Sequence, residues 1–162
     1  MEGLERIRFG VLTISDSRTI ETDISGKNIE EILRKNDAKH IERRLVRDEI
    51  EEIGNALISL CERCDVIFTT GGTGFAPRDV TPEATLPLLN KRATGLENYL
   101  LIRGLEKTRM APLSRGVCGI RNETLIVNLP GSPNGAQDGV EALLTLIPHI
   151  VSQIRGEITS HE

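Results

Sequence analysis

An alternation along the chain constrains its fold most. Short apolar, β-rich runs are each followed by a stretch with helical apolar spacing, and the runs end in polar, glycine- or proline-bearing loops. Arg8–Ser15 (RFGVLTIS) is the first such run, followed by a polar loop from Asp16 to Asp23. Ser25 is placed to cap a helix reaching about Asn36, with Ile24, Ile29, Ile32 and Leu33 on one face. Ile41–Val46 is a second strand. Asp48 and Glu51 make a capping-box-like start to a helix ending near Cys61, which should bury Ile50, Ile53, Leu57 and Ile58. Asp65–Thr70 (DVIFTT) is a third strand, running directly into Gly71-Gly72-Thr73-Gly74. Thr81-Pro82-Glu83 opens a helix with Thr81 as cap, and Pro87 breaks it. A further helix runs from Gly95 to Leu105. Gly116–Ile120 and Thr124–Leu129 pair around Arg121-Asn122-Glu123. One long helix, bent at Pro148, is expected from about Asn134 to Ile154. Such an order implies crossover units and a mainly parallel α/β sheet covered on both faces, with a hairpin making it mixed.

The 162 residues suit one domain, 1–162, with a sizeable core. Only Phe9, Phe68, Phe75 and Tyr99 are aromatic, so that core must be Leu, Ile and Val. The same scarcity, with a net charge of −4, argues against a nucleic-acid partner. No stretch is apolar for the length of a bilayer, and Met1–Arg6 lacks the apolar region of a signal peptide. The expectation is a cytoplasmic protein without a membrane partner. Three cysteines, an odd count, point to free thiols. Cys61-Glu62-Arg63-Cys64 closes a helix rather than opening one, the wrong end for a stabilised thiolate. No second pair completes a zinc set. His40, His149 and His161 are scattered and have no metal spacing.

Ligands of such sheets gather at the carboxyl ends of the strands. Three loops fall there: Ser15-Asp16-Ser17-Arg18; Gly71-Gly72-Thr73-Gly74, continuing to Arg78-Asp79; and Pro130-Gly131-Ser132-Pro133-Asn134. Each glycine loop alone is explained as a tight strand–helix turn. Two on one sheet edge, both leading into helix N-termini, point to a phosphorylated ligand. Neither a P-loop nor a dinucleotide fingerprint is present: Gly26-Lys27 lacks the earlier glycine, and Gly72-Thr73-Gly74 lacks the third. Asp48 and Asp79 should lie on this edge, where carboxylates beside phosphates imply Mg²⁺. The plainer roles are a helix cap for Asp48 and a salt bridge to Arg78 for Asp79. Arg18, Arg78 and Arg115 are candidate phosphate clamps, and Ser114 offers a further contact.

The segment Thr69-Thr70-Gly71-Gly72-Thr73-Gly74-Phe75-Ala76-Pro77-Arg78-Asp79-Val80-Thr81-Pro82-Glu83-Ala84-Thr85 resembles the central motif of the MoaB/MogA family of molybdenum cofactor biosynthesis proteins. The resemblance extends to Gly10–Ser17, Asp48-Glu49, Leu113-Ser114-Arg115, Gly119-Ile120-Arg121 and Leu129–Pro133, in the same order. It implies a three-layer α/β/α sandwich with a mixed, mostly parallel sheet, assembled as a trimer or hexamer. It also implies Mg²⁺-dependent adenylyl transfer from ATP to the terminal phosphate of molybdopterin, releasing pyrophosphate, with a metal insertase as the partner for the following step. By resemblance Asp48 and Asp79 position Mg²⁺. Ser15, Asp16, Gly71, Gly72, Thr73, Gly74, Arg78, Ser114, Arg115, Pro130, Gly131, Ser132 and Asn134 match ligand-binding loops. Asn98 departs from the family pattern, standing where an acid is common. The alternative is a molybdopterin-binding scaffold that does no catalysis; retention of both aspartates argues against it.

Overall fold

The structure, a computed structural model, describes residues 3–157; Met1, Glu2 and His161 lie outside the described residues. Among the described residues six strands form one sheet: β1 (Arg8–Ile14), β2 (His40–Val46), β3 (Val66–Thr70), β4 (Lys91–Arg92), β5 (Cys118–Arg121) and β6 (Thr124–Leu129). Their spatial order is β2-β1-β3-β6-β5-β4. β2, β1, β3 and β6 are parallel; the β5–β6 hairpin and the short β4, which the sequence did not announce, add antiparallel pairs. The hairpin turns at Asn122, whose φ of 53° is one an asparagine tolerates.

Side chains alternate across the central strands and split the core into two layers. Phe9, Val11, Val66, Phe68, Leu125 and Val127 face α1 (Ile24–Lys35), α5 (Pro133–Leu143) and α6 (Ile147–Ile154). Leu12, Ile14, Ile67 and Ile126 face α2 (Ile50–Cys61) and α3 (Thr81–Thr85). The arrangement is therefore a three-layer α/β/α sandwich with a mixed, mostly parallel sheet. Phe9 and Phe68 stack with ring centroids 6.3 Å apart. α4 (Thr94–Leu105) lies at the periphery and has no fully buried residue.

Several local expectations need correction. Asp23, not Ser25, caps α1: its carboxylate accepts the Gly26 N–H, while the Ser25 hydroxyl leaves the helix to donate to the Gly131 carbonyl. α2 begins after Glu49, one residue beyond the expected cap, because the Glu49 N–H bonds back to the Arg47 carbonyl. Thr81 is the first residue of α3 rather than its cap. Ile24, Ile50 and Ile58 are exposed. The last helix is two: α5 ends at Leu143, and α6 restarts at Ile147 with Pro148 in its first turn, where a missing N–H does no harm. The break at Pro87 stands as expected, a 3₁₀ turn replacing the helix at Leu86–Leu88.

Cys61, Cys64 and Cys118 are free thiols. Burial pushes the Cys64 and Cys118 thiols up to about 11 and about 12, which keeps them protonated and inert.

Candidate active site

Three strand-end loops are stitched into one surface. Gly71 and Gly72 follow β3 with φ of 103° and 69°, the left-handed region that glycine enters without strain. A Cβ on Gly71 would lie 2.3 Å from the Ile14 carbonyl, and one on Gly72 would lie 2.3 Å from Thr81 Oγ1. The loop is tied at each end. Gly71 N–H donates to the Leu129 carbonyl, and Thr81 donates its N–H to Gly72 and its hydroxyl to the Gly71 carbonyl. Thr70 donates to the Pro130 carbonyl, and Gly131 packs so closely on Gly71 that a Cβ there would be 3.2 Å from the Gly71 Cα. Behind the loop, the buried Asn128 amide donates to Thr69 and Thr85, fixing α3 to the sheet. Arg115 braces the far side through bonds to the carbonyls of Gly74 and Asp79 and an ion pair with Glu83.

This glycine wall separates two cavities. The larger, about 700 Å³, is walled by Thr73, Gly74, Ser114, Arg115, Pro130 and Ser132 from the predicted set, and by α4 and α5 opposite. The smaller, about 360 Å³, takes Ser15, Asp16, Arg18, Asp48 and Gly71. Gly72, Asp79 and Gly131 border both. Both volumes are in the range of small-molecule sites. Arg78 and Asn134 stand outside the two walls. Ser132 caps α5: its hydroxyl accepts the Gly135 N–H and its carbonyl the Ala136 N–H, and because Pro133 has no N–H only that of Asn134 is left unbonded at this helix start.

Arg78 does not pair with Asp79. Its guanidinium reaches across to Asp16 at 2.9 Å and Glu49 at 3.0 Å, clasping the loops after β1, β2 and β3. The Arg78 hydrogen bond, with the Asp48 N–H, holds the Asp16 carboxyl below its ordinary range. Asp48 makes no capping bond, so its carboxylate is available to the smaller cavity. Burial, followed by the charge of Asp16, raises its pKa. Asp79 uses Oδ2 to accept the Ala76 N–H in a tight turn. Among the described residues no group of three or more His, Cys, Asp or Glu could enclose a metal. Two carboxylates on one cavity wall suit a magnesium ion that draws its remaining ligands from water and phosphate oxygens, and not a cation caged by protein.

The family model described as "Probable molybdopterin binding domain" matches residues 10–149. The chain belongs to this family. Within it, the molybdopterin adenylyltransferase of Helicobacter pylori is 40% identical over 94% of this chain and 90% of its own length. The molybdenum cofactor synthesis protein cinnamon of Drosophila melanogaster is 42% identical over 96% of this chain, which spans only 27% of that longer protein. The crystal structure of the molybdopterin biosynthesis enzyme MoaB from Thermus thermophilus superposes with a TM-score of 0.84 at 44% identity, covering 93% of this chain and 97% of that one.

In this family member, sequence reasoning missed Thr13, Asp23, Ser25 and Thr70 on the smaller cavity and Glu97, Lys107 and Asp138 on the larger. The first four belong to strand ends and a helix start already expected at this edge. Glu97 on α4, Asp138 on α5 and Lys107 in the turn after α4 left no such signal, since a polar residue on or beside an amphipathic helix resembles a solvated face.

Proposed function

We propose that this chain works in molybdenum cofactor biosynthesis as a molybdopterin adenylyltransferase, taking ATP with magnesium as co-substrate. One observation carries the reading: two cavities of ligand size meet at a glycine wall bordered on both sides by Asp79. Two phosphorylated molecules placed in them would bring their phosphates together at that wall. An oxygen of the molybdopterin terminal phosphate attacks the α-phosphorus of ATP. The bond from that phosphorus to the bridging oxygen breaks, and pyrophosphate leaves with the electron pair. Transfer of this kind requires alignment and charge stabilisation more than a special nucleophile. The glycines let phosphates approach backbone N–H groups, and the start of α5 adds its positive end. Asp48 and Asp79 would hold magnesium, which supplies charge neutralisation at the phosphates. Arg78 keeps the three loops at a fixed separation through Asp16 and Glu49. The relatives named above support the assignment of pathway and reaction. The same reading includes a homo-oligomer, trimer or hexamer, and a metal insertase that consumes the product. Among the described residues no helix is long and apolar enough to cross a membrane.

Incubation with molybdopterin, ATP and Mg²⁺, followed by mass detection, should show adenylated molybdopterin. Asp79→Asn keeps an acceptor for the Ala76 N–H and should melt like wild type, yet lose turnover by about 100-fold or more. Undiminished turnover in that variant removes Asp79 from the chemistry. Molybdopterin binding without any product marks a scaffold rather than an enzyme.

A further inference from the structure

The larger cavity contains a carboxylate that the chain itself does not use. Asp138 lies on α5 at the cavity wall, half-buried, and among the described residues it accepts no hydrogen bond and forms no ion pair. The other acid on this wall that α4 contributes, Glu97, is spent: both oxygens hold Arg92, and one also accepts the Cys118 N–H. Helix geometry does not explain Asp138 either. It lies past the first turn of α5, so the helix N-terminus does not stabilise it. Its neighbours three and four positions away are Asn134, Gly135, Glu141 and Ala142, none of them cationic and one of like charge. Beside it Gly139 keeps the wall open, since a Cβ there would strike Leu129 at 2.5 Å. Partly desolvating a carboxylate without a partner costs stability, and a ligand with donors in the cavity would recover it.

Two adjacent donors suit a carboxylate best. A 2-amino-4-oxo-pterin has such an edge, with the ring N3–H and the 2-amino N–H side by side. Adenine has instead an amino N–H next to the lone pair of N1, so one carboxylate oxygen would face a lone pair. Resting on the adenylyltransferase reading above, we infer that Asp138 is the specificity-determining residue for the pterin. It accepts both donors of that edge, seating the pterin in the larger cavity and excluding adenine from it. Selectivity then comes from repulsion of the wrong ring as well as attraction of the right one.

The test compares wild type with Asp138→Asn and Asp138→Ala. Molybdopterin affinity is measured by direct titration without ATP, and steady-state KM values are measured for both substrates. Both variants should melt at or slightly above the wild-type temperature and weaken molybdopterin binding about 10- to 100-fold, with the KM for ATP unchanged. Asn should do no better than Ala, because its amide N–H₂ would face a donor. Unchanged molybdopterin affinity overturns the assignment, and so does a rise confined to the KM for ATP. The direct titration separates this inference from the reading it rests on. A wild type that makes no adenylated product but binds molybdopterin through Asp138 refutes only the transferase. A wild type that transfers normally, with variants that bind like it, refutes only the role of Asp138. A wild type that binds no molybdopterin refutes both.

Discussion

Asp48 sits between strand β2 and helix α2 with its N–H given to Asp16 and its carboxylate left to the smaller cavity. Its pKa is raised, first by burial and then by Asp16. A carboxyl with a folded pKa above its unfolded value favours folding while protonated, and that advantage disappears as pH rises through the folded value. At neutral pH the charge of Asp48 therefore opposes folding, and neutral Asn should relieve it. Asp48→Asn is expected to melt at or slightly above the wild-type temperature at pH 7, with the difference vanishing in acid, while adenylyl transfer falls steeply. A variant that melts lower at pH 7 would restore a structural role, and full activity would end the functional one. Both acids were legible because each directly follows a strand end or a glycine loop. That Asp48 does not cap α2 was not legible, since it turned on Glu49 bonding back to Arg47. Asp138 was illegible for another reason: only the partners available in three dimensions show that a helical acid has none.

At the level of elements, alternation and breakers predicted most of the strands and helices, and the errors lie at their joints. Proline at position 148 was expected to bend a helix, but it starts a new one, because the chain turns after Leu143 to bring Ile147 and Val151 onto the sheet. β4 has two residues and pairs only with β5, too little sequence for any periodicity. The edge of the sheet away from the site has its own fastening. Asp65, just before β3, accepts the Arg8 N–H at 2.8 Å, both the Nε and Nη2 of Arg8, and Arg155 at 3.3 Å, so one carboxylate ties β1, β3 and the end of α6. Burial alone would raise its pKa, but the Arg8 hydrogen bonds and charge outweigh burial and leave it lowered. With a folded pKa below the unfolded one, the stabilisation is complete above the ordinary carboxylate pKa of about 4 and is lost as pH falls through the folded value. Asp65→Asn should cost about 2 kcal/mol at pH 7 and leave kcat intact below the melting transition. Melting curves from pH 7 down to pH 2 should show wild type and variant converging in acid; a constant gap would assign the loss to packing instead.

For the molecule as a whole, α4 poses the remaining problem. Leu96, Tyr99 and Leu100 lean on the core, yet Ile102 is 59% exposed and Leu105 48%, and the chain after the helix adds Met110 and Leu113, also exposed. A helix apolar on opposite sides is one covered from both, and neighbouring exposed apolar residues mark an interaction surface. On the homo-oligomer reading proposed above, a second copy of this chain is the cover. Light scattering should then give a trimeric or hexameric mass for wild type, and Ile102→Glu with Leu105→Glu should shift it to the monomer without unfolding, as neither side chain supports the core. A monomeric wild type refutes the proposal. Because Leu101, Met110 and Leu113 also line the larger cavity, the proposed subunit contact would share this surface with the proposed molybdopterin site. The monomeric variant should therefore bind molybdopterin more weakly than wild type while keeping its affinity for ATP, whose proposed cavity lies beyond the glycine wall. Equal losses for both substrates would mean that the whole strand edge, and not only its α4 side, depends on the neighbouring subunit.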